Sequence, residues 1–107
     1  MDNEKIIVIA HGFVKPNYRN EFIQLLEEVR ESDEAEPGTI VQTFQFERDN
    51  SNVLWTYIVY ANAEARAIHH QRLQENKNIV PKLLEAYATW PYNITCTPLC
   101  AKGVDLT

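Results

Sequence analysis

Two segments of this 107-residue chain are apolar on both faces, and that restricts the folds open to it. Lys5–Val14 reads as a first strand, with Ile7, Ile9, His11 and Phe13 on one face and Ile6, Val8, Ala10, Gly12 and Val14 on the other. Val53–Ala61 reads as a third strand, setting Val53, Trp55, Tyr57 and Val59 against Leu54, Thr56, Ile58 and Tyr60. Side chains alternate across a strand, so neither segment has a polar side to offer to water. A layer of helices covers one face of a sheet. The other face would leave roughly several hundred Å² of apolar surface in water, more than a monomer ordinarily tolerates. The expectation is a homodimer, sheet packed against sheet.

The remaining elements follow from periodicity and turn chemistry. Pro16 suits the first turn of a helix, and Tyr18, Phe22, Leu25, Leu26 and Val29 then recur at helical spacing. Glu36-Pro37-Gly38 reads as a turn, with Pro presetting φ and Gly accepting a positive φ. Thr39–Glu47 and Val53–Ala61 form a hairpin around Asp49-Asn50-Ser51-Asn52. Asn62 can cap a second helix, which places Ala65, Ile68, His69 and Arg72 on one stripe and breaks near Asn76–Asn78. Pro81 opens a further helix carrying Leu83, Leu84, Tyr87 and Ala88, and Pro91 stops it. Asn93–Lys102 reads as a last strand, with Pro98 marking an edge or exchanged strand. The order β-α-β-β-α-β predicts one α+β domain over residues 1–107: a ferredoxin-like, four-stranded antiparallel sheet with helices on one face.

A net charge of −5 disfavours nucleic acid, whose phosphates call for clustered Lys and Arg. The acids from Glu31 to Glu36 read as a solvated helix end and loop. No apolar run reaches the ~20 residues that span a bilayer. Met1-Asp2-Asn3-Glu4-Lys5 is acidic where a signal peptide is basic, so a cytoplasmic protein with no membrane partner is expected. Cys96 and Cys100 are too far apart along a strand for a disulfide, and Pro98 disfavours a helical metal pair, so both read as free, half-buried thiols.

His69 is the candidate base, because imidazole titrates near neutrality; the competing reading packs it under the sheet. His70, about 100° round the helix, reads as solvated. His11 is either a polar group of a pocket or part of a dimer interface. Tyr57, Tyr60 and Trp55 either stack on a planar substrate or serve as core and interface aromatics. Asn62 is a helix cap, or an amide able to hold a phenolate oxygen. Arg66 and Arg72 read as surface residues.

Val14-Lys15-Pro16, Glu36-Pro37-Gly38, Tyr60 closing the third strand and His69 nine residues later together resemble the antibiotic biosynthesis monooxygenase family, within the dimeric α+β barrel superfamily. The resemblance covers roughly Ile6 to Leu99. It implies oxygenation of a small phenol, anthrone or quinol by molecular oxygen, with no flavin, metal or haem as cofactor. It also implies His69 as the catalytic base and Tyr57, Tyr60, Trp55, His11 and Asn62 around the substrate. Many members carry Glu where this chain has Ile58, which removes a carboxylate from that point. Haem-degrading relatives use an Asn on the first strand and a Trp closing the third, where this chain has Ile9-Ala10-His11 and Val59-Tyr60. Two other readings stay open: a non-oxidative polyketide cyclase or isomerase, and a non-catalytic ligand-binding or stress-related dimer.

Overall fold

The computed structural model describes residues 4–103, apart from the side chain of Trp90; Met1–Asn3 of the acidic N-terminus lie outside the described residues. The elements are β1 (Ile6–Val14), a 3-10 turn (Pro16–Tyr18), α1 (Arg19–Asp33), β2 (Thr39–Phe46), β3 (Val53–Tyr60), α2 (Ala63–Glu75), α3 (Val80–Ala86) and β4 (Tyr87–Cys96). The strands form one sheet in the order β2-β3-β1-β4, antiparallel at every pairing. This is the ferredoxin-like arrangement that the element order predicts, with the second helical region divided where Asn76–Asn78 interrupt it.

Register decides which side chains meet. Phe44 pairs with Thr56, Thr56 with Ala10 and Ala10 with Asn93, making one row across all four strands. The next row runs Gln42, Ile58, Val8 and Thr95. Both rows lie on the helix side. One core cluster there joins Val14, Phe22, Leu54 and Ala86, and a second joins Val8, Ile58 and Tyr60. The opposite face carries Ile9 and Tyr57 in one row and His11 and Trp55 in the next. Phe13, Trp55, Tyr92 and Ile94 are exposed on it, so the second apolar face read from the sequence is real and uncovered within one chain.

Three local readings are revised. β4 begins at Tyr87 and ends at Cys96, so Tyr87 and Ala88 are strand rather than helix, and Pro98 lies beyond the strand. Pro91 is tolerated because β4 is an edge strand and its pairing with β1 is irregular between His11 and Val14. Cys100 is exposed rather than half-buried, and both cysteines are free.

Gly38 is the third revision: it does not take a positive φ. A Cβ built on it would lie 2.6 Å from the Cβ of Ala65, so the glycine serves close approach of the turn to α2. The turn closes through the Thr39 amide donating to the Glu36 carbonyl, and Ala61 donates to the Gly38 carbonyl. Gly38→Ala is therefore expected to destabilise the fold by about 1–3 kcal/mol, the usual cost of overpacking. Urea denaturation measures it, and a compensating Ala65→Gly should recover part of the loss.

Candidate functional site

α2 is unusual in that its one buried residue is a histidine. His69 sits 5% exposed, its ring centroid 5.5 Å from that of Tyr60. Asn62 caps this helix by accepting from the Ala65 amide at 2.8 Å, which fixes the helix start and hence the angle of His69. The Gly38–Ala65 contact holds the Glu36-Pro37-Gly38 turn against the same first turn. His69 thereby meets Glu36, with Nδ1 3.1 Å from Glu36 Oε1.

Glu36 is buried, and its lone pairs are taken up from several sides. Arg72, one turn beyond His69, donates Nη1–H to Oε2 at 2.7 Å, and the Thr39 hydroxyl donates to Oε1 at 3.1 Å. Arg72 also reaches the Ser32 carbonyl at the end of α1. Asp33 completes the cluster, with Oδ1 3.6 Å from His69 Nδ1 and Oδ2 accepting from Gln42 Nε2 at 2.6 Å.

The two carboxyls respond in opposite directions. Asp33 is raised from its ordinary value: burial raises it, the Gln42 hydrogen bond and the His69 charge oppose, and the hydrogen bond and charge of Glu36 add to the rise. Glu36 is lowered. Burial pushes it up, but a hydrogen bond from Asp33, the His69 charge, and hydrogen bonds from His69 and Thr39 outweigh that. Within the pair the charge is favoured on Glu36, where Arg72 balances it. With Nδ1 directed at Glu36, Nε2 is the ring nitrogen left free to meet a ligand.

Asp33, Glu36 and His69 also bring potential metal-ligand atoms within 4.8 Å of one another. Arg72, Thr39 and Gln42 donate into the same carboxyl groups, and a dication there would sit against the Arg72 guanidinium. The donor set fits a charge-balanced hydrogen-bond network rather than a metal centre.

His69 lines a cavity of about 440 Å³ between the sheet and the helices, within the ~300–1,000 Å³ of small-molecule pockets. Its floor is the pair of sheet rows described above, opened by the small side chains of Ala10 and Thr56, and Leu26, Val29, Leu73, Val80 and Leu83 supply apolar walls. The polar groups are Gln42, Thr56, His69, His70, Gln74, Asn93 and the tyrosines Tyr60 and Tyr87. Burial raises the Tyr60 phenol, with Arg66 opposing and Asp33 and Glu36 adding, so it stays protonated. Burial pushes the Tyr87 phenol up to about 12. Both phenols are thus O–H groups at neutral pH. His70 is largely exposed, yet burial, Arg66 and His69 together lower it.

The residues singled out in the sequence separate onto two faces. His69 and Tyr60 share the cavity. Tyr57, Trp55 and His11 point to the opposite side of the sheet, where the His11 ring lies 4.7 Å from Trp55 and 6.0 Å from Tyr92. Strict alternation forces this: Tyr57 and Trp55 have odd parity with Val59, Tyr60 even parity with Ile58. Asn62 is occupied as a cap. Ile68 is exposed, so the inward stripe of α2 is Ala65, His69 and Arg72. Arg72 is a structural partner of Glu36 rather than a surface residue, and Arg66 donates to the Thr95 hydroxyl at 2.8 Å. Asp33 and Glu36, read as solvated acids, are instead the core of the network. The sequence signal for them was indirect: two carboxyls three apart facing His69 and Arg72, also three apart, on the next helix.

Architecture and cavity define an α+β protein with a ferredoxin-like sheet and a mostly apolar cavity under its helices. The family model for antibiotic biosynthesis monooxygenases matches residues 5–82, and the chain belongs to that family. Solved structures agree in fold. A conserved protein from Methanosarcina mazei Go1 is 23% identical, with a TM-score of 0.78 over 89% of this chain and 93% of that one. A Caulobacter crescentus CB15 protein provisionally described as an antibiotic biosynthesis monooxygenase is 19% identical, with a TM-score of 0.81 over 91% of this chain and 92% of that one. Rv0793 from Mycobacterium tuberculosis is 18% identical, with a TM-score of 0.74 over 91% and 97% of the two chains. No curated protein matches the sequence. No helix among the described residues is long and apolar enough to cross a membrane.

Proposed function

We propose that this protein is a cofactor-independent monooxygenase acting on a small hydroxyaromatic molecule of the anthrone or quinol type. The observation that carries the reading is His69, held through Nδ1 by a buried, ionised Glu36 on the wall of an apolar cavity. For an anthrone, Nε2 takes one proton from the benzylic CH₂. The resulting carbanion passes one electron to dioxygen, and the substrate radical and superoxide recombine as a peroxide anion. His69 returns its proton to give the hydroperoxide. Loss of the second C–H proton with O–O cleavage then yields the carbonyl and water, so one O₂ converts CH₂ into C=O and H₂O. Dry walls favour the anion's reactivity, and the phenolic O–H of Tyr60 on the cavity wall would steady developing negative charge. The test is oxygen-electrode uptake with dithranol as the anthrone. Stoichiometric uptake with appearance of the quinone supports the reading. Turnover without uptake would favour a cyclase or isomerase using the same base.

The setting of this chemistry is a homodimer closed across the open sheet face. Ile7, Ile9, Phe13, Trp55, Tyr57, Tyr92 and Ile94 form an apolar surface there that water does not favour. On this reading Trp55, Tyr57 and His11 are interface residues and not substrate contacts. Ile9→Asp, which buries a carboxylate at the centre of that face, is expected to weaken self-association by roughly 100-fold or more. Sedimentation equilibrium would show a micromolar dimer for the wild type and a monomer for the variant. A monomeric wild type would sink the arrangement.

A further inference from the structure

The cavity is mostly apolar, so a polar group on its wall can act as a selector for what enters. Gln42 is such a group. It occupies the sheet row of Ile58 and Val8, directly beside the apolar side chain of Ile58. A side-chain amide presents two donors and one acceptor, and which end faces a ligand ordinarily depends on rotation. Here the rotation is decided: Gln42 Nε2 donates to Asp33 Oδ2 at 2.6 Å. That acceptor role holds for Asp33 in either protonation state, because Oδ2 keeps lone pairs while the other oxygen faces His69 and Glu36. The same carboxyl group therefore stands behind two cavity-lining side chains, Gln42 through one oxygen and His69 across 3.6 Å from the other.

We infer that Gln42 is a specificity-determining residue: with its NH₂ pinned by Asp33, its carbonyl oxygen accepts a hydrogen bond from a hydroxyl of the substrate beside the ring presented to His69. The consequence is a demand on ligand chemistry. An aromatic O–H, which can donate, satisfies the acceptor. A methyl ether or a quinone carbonyl cannot donate, and leaves the half-buried Gln42 amide oxygen without a partner on the ligand. The site thereby favours a ring that keeps a free hydroxyl at this position over one whose oxygen there is alkylated or a carbonyl. The inference rests on the proposed hydroxyaromatic substrate class, but it concerns binding and needs no oxygen.

The experiment is anaerobic isothermal titration of the full chain with two probes, 1-naphthol and 1-methoxynaphthalene, on wild type and Gln42→Met. Methionine preserves length and removes the acceptor. Wild type is expected to prefer naphthol by about fivefold to tenfold, as one hydrogen bond allows. The variant should bind 1-methoxynaphthalene as before, which also reports an intact cavity, and should lose the naphthol preference. A wild type that binds both probes equally, or binds neither, overturns the inference without reference to the variant. Retention of the preference in Gln42→Met overturns it as well. Oxygen uptake is read separately. Gln42-dependent selectivity without uptake refutes the oxygenase reading alone, and uptake with unchanged selectivity refutes the role of Gln42 alone.

Discussion

His69→Ala should lower the rate of oxygen uptake by about 10²–10⁴-fold, the span that a positioned general base contributes. The loss should appear in kcat with little change in KM, because proton removal belongs to the reaction and the apolar walls that hold the ring remain. Alanine also deletes the group that bonds Glu36, so a structural effect has to be separated from a chemical one. His69→Gln does this. An amide at that position can still donate toward Glu36, yet has no nitrogen basic enough to take a proton. Equal loss of uptake in both variants, with unfolding midpoints close to wild type for the Gln form, assigns the proton transfer to the imidazole. Near-wild-type uptake by His69→Gln would remove His69 from the chemistry and leave it as a packing residue of α2.

The difference between what the sequence disclosed and what it concealed has a physical origin. Strand parity and helical spacing are local, and they led directly to the βαββαβ order, to the two-sided apolar character of β1 and β3, and to the break in the second helical region. Where a local rule competed with tertiary packing, it lost. Tyr87 fits helical spacing from Leu83, yet it starts β4, and its ring packs edge-on at 5.0 Å from Phe22. Gly38 fits a turn that needs positive φ, but the constraint is the Ala65 side chain of α2 pressed against it. The site was half legible. His69 stood out because imidazole chemistry is recognisable in isolation, whereas Glu36, Asp33 and Gln42 acquire meaning only when α1, the following turn and β2 converge on α2. Alternation along β3 sets Tyr57 and Trp55 with Ile9 and His11 on the open face, away from Tyr60 and the cavity.

Removal of the Glu36 charge is expected to cost the most stability of any single polar substitution in the chain. Glu36→Gln leaves Arg72 facing a neutral amide and forces one of two donors, Thr39 or His69, to compete for the remaining carbonyl oxygen. Breaking a buried ion pair from one side costs ~3–5 kcal/mol, and the low end, about 3 kcal/mol, applies because Arg72 is 39% exposed and partly solvated. Replacing both partners, Glu36→Gln with Arg72→Met, should recover part of that loss, since no cation then lacks its counter-charge. The pH dependence supplies an independent reading. Glu36 is depressed in the folded protein, so its contribution is complete above its ordinary value and is lost as pH falls through the depressed one. Asp33 is raised, so its contribution is complete below its ordinary value and is lost as pH rises through the raised one. Urea denaturation across the acidic range should therefore show the Glu36 contribution, stability lost as pH falls, in the wild type and not in Glu36→Gln, whose acid limb is flatter. An acid limb of unchanged steepness in the variant would mean that other carboxyls carry it, and that Glu36 does not hold the buried charge on which the orientation of His69 depends.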